Sequence, residues 1–311
     1  MPQPFSRRRL LTAGGAAIAA TGLGLSAPAE AARRKPKWSI TLNTSTLRPA
    51  SLDEKLSAVE QAGYSGIELW SNELTDHVKA GGSLDALGKR IADAGLSVPN
   101  IIGLWGCMPD DDAERPVTHD RVRGQMEDAA KVGATHIAAV PTPDRPDIDT
   151  LWAAERYCEL LEIGEEYGVT PAVEFVGFFK GVNRLGQAAA IAIEADHPKA
   201  CLVADTFHLF GGGSGFNGVR CLSAQSIACF HINDAPATPA RAEQRDGDRV
   251  MPGDGVLPIV QLLRDLREIG FAGPLSLELF NRGYWEQDPV DVARLGIAKI
   301  RRLIEESKKP A

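Results

Sequence analysis

Two hydrophobic periods alternate along this chain. Short, nearly continuous apolar runs rich in β-branched residues fall at 38–42, 66–70, 98–105, 136–140, 170–176, 200–207, 227–232 and 275–280, the pattern of parallel strands covered on both faces. Between them lie amphipathic segments at 51–62, 83–94, 121–132, 147–167, 185–195, 258–269 and 288–307, five of them followed by a glycine (Gly63, Gly95, Gly133, Gly168, Gly270) that suits a helix stop. The sixth connection, 211–225, is glycine-rich and leaves room for only a short helix. Eight strand–helix units in succession, with no linker between them, predict an α/β fold made of a single (β/α)8 TIM barrel over residues 32–311.

Residues 1–31 stand outside this alternation. Ser6-Arg7-Arg8-Arg9-Leu10-Leu11 resembles a twin-arginine export signature, 11–25 is weakly hydrophobic and rich in Ala and Gly, and Ala29-Glu30-Ala31 offers a small-residue cleavage site. The apolar part falls short of the roughly 20 residues that span a bilayer. The expectation is a twin-arginine-type signal peptide and a periplasmic or extracellular protein with no membrane association after its removal. Cys107, Cys158, Cys201, Cys221 and Cys229 are odd in number and contain no CxxC, so no disulfide framework is predicted.

Charge narrows the partners. The chain holds 34 Lys+Arg against 41 Asp+Glu, a net of −7; the leader takes three Arg and one Glu with it, leaving −9. No basic stripe is present, which argues against a nucleic-acid partner. A small molecule is expected instead, and a homo-oligomer is compatible with this surface.

In a barrel of this kind the chemistry sits at the carboxyl ends of the strands. Four ionisable residues interrupt apolar runs there: Glu174, Asp205, His231 and Glu278. Their spacings of 31, 26 and 47 residues amount to about one βα unit apiece, so the four side chains are expected to meet at one point. Three carboxylates and one imidazole suit a divalent cation. The mostly oxygen set favours Mn²⁺ or Mg²⁺, with Co²⁺ or Zn²⁺ tolerated. Glu68, at the end of the second strand, is placed within reach of a sugar hydroxyl. Trp105, closing the third, is placed as an aromatic wall for a sugar ring.

These stretches carry a resemblance. Asn43-Thr44-Ser45-Thr46-Leu47, Gly66-Ile67-Glu68-Leu69, Val173-Glu174-Phe175-Val176-Gly177, Ala204-Asp205-Thr206-Phe207-His208, His231-Ile232-Asn233-Asp234, the run from Asp248 to Gly255, and Leu277-Glu278-Leu279-Phe280, in this order, make the chain similar to the xylose-isomerase-like TIM barrels, and among them to the inosose (2-keto-myo-inositol) isomerases. The resemblance covers the whole chain after the leader. It implies that Glu174, Asp205, His231 and Glu278 are metal ligands and that His208 and Arg249 contact the substrate.

The chemistry so implied is isomerisation or epimerisation of a keto-sugar or inosose by α-proton abstraction, through an enediolate stabilised by the metal, with Glu174 and Glu278 as base and acid in either order. The glycines at 211–213 and 215 have no Lys or Arg within their loop, so an unphosphorylated sugar or cyclitol is expected. Three other classes share parts of this pattern. An exported lyase would expel the aglycone of a 3-keto glycoside after the same proton abstraction. A phosphoesterase of the related DNA-cleaving barrels would need further His ligands, and only His77 and His119 remain, in segments read as loops. A non-catalytic sugar-binding barrel is the plainest of the three.

Overall fold

The computed structural model describes residues 38–310; the expected export segment, 1–31, lies outside them. Among the described residues eight parallel strands close into a barrel in chain order: β1 Ile40–Asn43, β2 Gly66–Trp70, β3 Ile101–Leu104, β4 His136–Ala139, β5 Thr170–Glu174, β6 Leu202–Asp205, β7 Ile227–Ile232 and β8 Leu275–Leu277. Around them run the helices α1 Leu52–Ala62, α2 Ser71–Lys79, α3 Leu84–Asp93, α4 Arg115–Lys131, α5 Thr150–Tyr167, α6 Leu185–Glu194, α7 Thr206–Gly211, α8 Ile259–Glu268, α9 Arg282–Trp285 and α10 Pro289–Ser307. This is the expected (β/α)8 architecture.

Local chemistry sets the helix ends. Ser51 and Glu54 cap α1 reciprocally, each side chain bonded to the other's backbone N–H, an arrangement worth about 1 kcal/mol. Gly63 ends that helix at φ 78°, a conformation that glycine adopts without steric cost. The sixth connection holds only the six-residue α7 and two 3₁₀ turns, Asn217–Cys221 and Ala224–Ser226, as its glycine content predicts.

Three features differ from the sequence reading. Helix α2 leaves no apolar period in the sequence because its face toward the barrel is a single buried residue, Leu74. Helix α9 is one turn long. Helix α4 begins six residues before the expected start because Pro116 sits in its first turn, where a missing N–H costs nothing. His77 and His119 therefore lie on α2 and α4 rather than in loops.

The larger part of the core lies between sheet and helices. A smaller cluster, Ile102, Ala138, Ala172, Cys201, Val203, Ala228 and Cys229, plugs the barrel with mostly short side chains. Tyr157 ties α5 to this sheet: its buried hydroxyl lies 2.8 Å from Pro171 O and accepts from Cys201 N at 3.0 Å, joining β5 to the start of β6. All five cysteines are free thiols. No helix among the described residues is long and apolar enough to cross a membrane.

Candidate metal centre

Successive strand residues point to opposite faces, so residues two apart share one. Ala172 and Glu174, Val203 and Asp205, Cys229 and His231, and Ser276 and Glu278 are such pairs, and the first member of three of them belongs to the interior plug. Register completes the alignment: Asp205 lies directly across from His231, and His231 across from Ser276. The short plug residues end where the ionisable ones begin. His231 Nδ1 consequently lies 3.1 Å from Glu278 Oε2, 3.3 Å from Glu174 Oε1 and 3.6 Å from Asp205 Oδ2. All four side chains are buried. The structure thus brings together the four residues singled out from strand ends, although β8 stops at Leu277, one residue before Glu278.

Beneath them lies Glu68, which is 0% exposed. It does not reach the pocket wall, so the expected contact with a sugar hydroxyl is corrected. Both of its oxygens are taken from within: Oε1 accepts from Asn100 Nδ2 at 2.6 Å and faces His231 Nε2 at 3.0 Å, while Oε2 accepts from Asn43 Nδ2 at 2.8 Å and Ser276 Oγ at 2.7 Å. Asn43 also donates to Glu278 Oε1 at 3.0 Å. Asn43, Asn100 and Ser276 were not identified from the sequence. The available signal was parity, since Asn43 is a polar residue at the inward end of β1, paired in register with Glu68.

The charges settle one another. Burial pulls the His231 imidazole down, but Glu278 and Glu68 outweigh it and hold its pKa well above the usual value. Burial likewise opposes ionisation of Asp205, yet Arg249 and His208 keep its carboxyl well below the ordinary range. Glu174 is pushed up to about 7 by burial, with the negative charges of Glu278 and Asp205 adding to the effect and His231 countering it.

Arg249, on the long loop between β7 and α8, is drawn fully inside. Its Nη1 donates to Asp205 Oδ2 at 2.8 Å and to Glu278 Oε2 at 2.7 Å, while Nη2 donates to Asp246 Oδ1 at 2.6 Å and faces His208 Nε2 at 3.2 Å. It is not the surface ion pair that an Arg among several Asp suggests. His208 sits in the first turn of α7, where its N–H is capped by Asp205 Oδ1 at 2.8 Å. Burial, reinforced by Arg249 and opposed by Asp205, lowers its pKa.

Above the charges opens a narrow cleft of about 60 Å³, lined by Glu174, His208, Arg249 and Glu278 and walled by Trp70, Trp105, Phe178, Phe179 and Phe280 among others. Trp105, 42% exposed, lies at the mouth of this cleft and meets Phe179 edge to face at 6.4 Å. The glycine loop at 211–215, poor in cations along the chain, receives Arg184 from outside, whose Nε donates to Gly212 O at 3.1 Å.

The donor set fits a divalent cation. His231 Nδ1 is buried, surrounded by three carboxylates, and makes no hydrogen bond of its own; such an orphaned nitrogen needs an explanation, and a shared cation supplies one. Glu174, His231 and Glu278 can each point a ligand atom at one centre, with Asp205 beside them. The Glu68 contact on Nε2 is the carboxylate–histidine support that metal-binding imidazoles use.

Comparison with known proteins gives four findings. The profile of the family described as xylose isomerase-like TIM barrel matches residues 56–303. An inosose isomerase of Bacillus licheniformis is 29% identical over 259 residues, spanning 80% of this chain and 91% of that protein. A 3-dehydroshikimate dehydratase of Pseudomonas putida is 25% identical over 264 residues, 83% of this chain and 40% of its own length. Among solved structures, the IolI protein with a bound zinc atom is similar with a TM-score of 0.80 at 26% identity, covering 86% of this chain and 99% of that one.

Proposed function

Since the chain belongs to the xylose isomerase-like TIM barrel family, we propose that it is a divalent-metal-dependent isomerase or epimerase acting on a keto-sugar or inosose. The observation that carries this reading is the convergence of Glu174, Asp205 and Glu278 on the orphaned Nδ1 of His231. The inosose isomerase relative supports the substrate class, and the zinc in the similar solved structure supports a metal. The oxygen-rich ligand set favours Mn²⁺ or Mg²⁺. A cation held by the four residues would supply positive charge beside the substrate's carbonyl and hydroxyl oxygens and keep both glutamates ionised.

The protein's own groups divide the remaining work. One of Glu174 and Glu278 takes the proton from the carbon next to the carbonyl, and the other returns one. Asn43 holds Glu278 through Oε1, and Arg249 holds it through Oε2. Arg249 spans Asp205 and Glu278 and presents charge to a substrate oxygen. His208 offers a hydrogen bond to a hydroxyl, and Trp105 with Phe179 stands at the mouth. Export through the motif at Ser6–Leu11 is part of this proposal and would place the reaction outside the cytoplasm.

The test is proton exchange in deuterated water with added Mn²⁺. Deuterium is expected at the carbon beside the carbonyl of an inosose or keto-sugar, together with rearranged product. No label from any candidate, with metal bound, would overturn the enzymatic reading.

A second reading shares the first step. The similarity to a dehydratase and the exposed aromatic mouth formed by Trp105 and Phe178, 42% and 38% exposed, favour elimination of an aglycone from a 3-keto glycoside. Release of free aglycone from such a glycoside, with no epimerised product, would select it.

A further inference from the structure

The 3₁₀ turn Asp246–Asp248, on the loop between β7 and α8, brings one more ionisable side chain to the cleft. Three bonds close this turn. Arg245 N–H donates to Asp248 Oδ2 at 2.7 Å, Asp248 N–H to Arg245 O at 2.8 Å and Arg249 N–H to Asp246 O at 3.2 Å. Asp246 therefore projects from a fixed backbone. Its Oδ1 accepts from the outer edge of the buried Arg249 guanidinium, from Nε at 3.0 Å and Nη2 at 2.6 Å. Its Oδ2 has no protein partner among the described residues, and the side chain is 31% exposed where it lines the cleft. One oxygen is committed and immobilised; the other is open to accept from what enters.

The surrounding charge says what that is. Asp205, Asp246 and Glu278 each approach Arg249 within 2.6–2.8 Å, and Glu174 adds a fourth carboxylate to the cleft. Arg249 and one divalent cation together leave no surplus positive charge beside Asp246, so a carboxylate or phosphate substituent would meet repulsion there. A hydroxyl group would not. An ionised oxygen accepts a hydroxyl proton in a charge-assisted hydrogen bond, about twice as strong as a neutral one. An acceptor placed this way also discriminates against an analogue that lacks the hydroxyl.

We propose that Asp246 is a specificity-determining residue of this cleft, accepting a hydrogen bond from a substrate hydroxyl through Oδ2 while Oδ1 fixes Arg249. Resting on the function proposed above, this narrows the substrate to an uncharged polyol ketone. At the end facing the β7–α8 loop it carries a hydroxyl rather than a carboxylate, a phosphate or a bare methylene. Asp246 lies outside the four-residue metal set, so selection at this point is separate from the proton transfer.

The test uses the full chain loaded with Mn²⁺ and calorimetric titration with myo-inositol, a neutral cyclitol without a carbonyl. Asp246→Asn keeps the volume and an oxygen for Arg249 but removes the charge. The variant should still bind one Mn²⁺ per chain and should hold myo-inositol about 10- to 100-fold more weakly, the range of one hydrogen bond to a charged group. Single-position deoxy analogues of myo-inositol separate selection from mere support of Arg249. One of them should lose a similar factor against the wild type, and that loss should vanish in Asp246→Asn, because both changes delete the same contact. Losses that add for every analogue would overturn the assignment, as would unchanged affinity in Asp246→Asn, loss of Mn²⁺ from that variant, or no binding of myo-inositol by the wild type. Proton exchange on 2-keto-myo-inositol distinguishes the two proposals. Coupled losses without exchange leave Asp246 selecting a polyol and remove the isomerase reading; exchange with KM unchanged in Asp246→Asn keeps the isomerase reading and removes this one.

Discussion

Glu68 Oε1 and His231 Nε2 lie 3.0 Å apart, both wholly buried, and this contact decides which way the imidazole faces. With Nε2 held from below, Nδ1 is left for the three carboxylates above. Glu68→Gln keeps the shape but removes the charge and one acceptor. We expect divalent-metal affinity to fall about 10- to 100-fold, with a far-ultraviolet circular dichroism spectrum like the wild type. Calorimetric titration with Mn²⁺ checks this; unchanged affinity would mean that Glu68 serves packing alone.

Tyr157 predicts a stability effect remote from the chemistry. Phenylalanine there removes the acceptor for the Cys201 N–H and leaves that group buried and unpaired. Tyr157→Phe should lower unfolding free energy by about 1–3 kcal/mol, seen as a lower urea midpoint at unchanged slope. Any exchange activity of the folded protein should be retained.

The thiols predict a reactivity pattern. Burial pushes Cys107, Cys201 and Cys229 up to about 12, so at pH 8 roughly one in ten thousand of each is thiolate. Cys221 is exposed. A chromogenic disulfide reagent at pH 8 should titrate Cys221 first, with Cys158 slower, and reach the other three only after unfolding. Raising the pH from 7 to 9 should not open the buried three to labelling, because both values lie far below their pKa. Five fast thiols in the native protein would contradict the packing described here.

Much of this architecture is legible along the chain because parallel strands buried on both faces leave continuous apolar runs, and a charged residue at the end of such a run cannot be accidental packing. That logic locates Glu174, Asp205, His231 and Glu278. It fails for Glu68, whose charge looks the same in sequence but is spent inward on Asn43, Asn100, Ser276 and His231; partners from four other strand or loop segments leave no local trace. Arg249 is hidden for a different reason. Its burial depends on how a loop folds over the barrel, and nearby Asp residues at 246, 248 and 254 look in sequence like surface partners. Helix α2 is obscured because one buried leucine cannot create a period, and α4 because a proline at a helix start reads like a loop.

The central claim is that one cation is held jointly by residues from four consecutive strands, and metal stoichiometry tests it most directly. The metal-stripped protein, dialysed against Mn²⁺ and freed of excess, should retain one ion per chain. Glu174→Gln and His231→Gln, each verified as folded, should lose it or bind at least tenfold more weakly. One ion per chain at undiminished affinity in both variants would contradict the account.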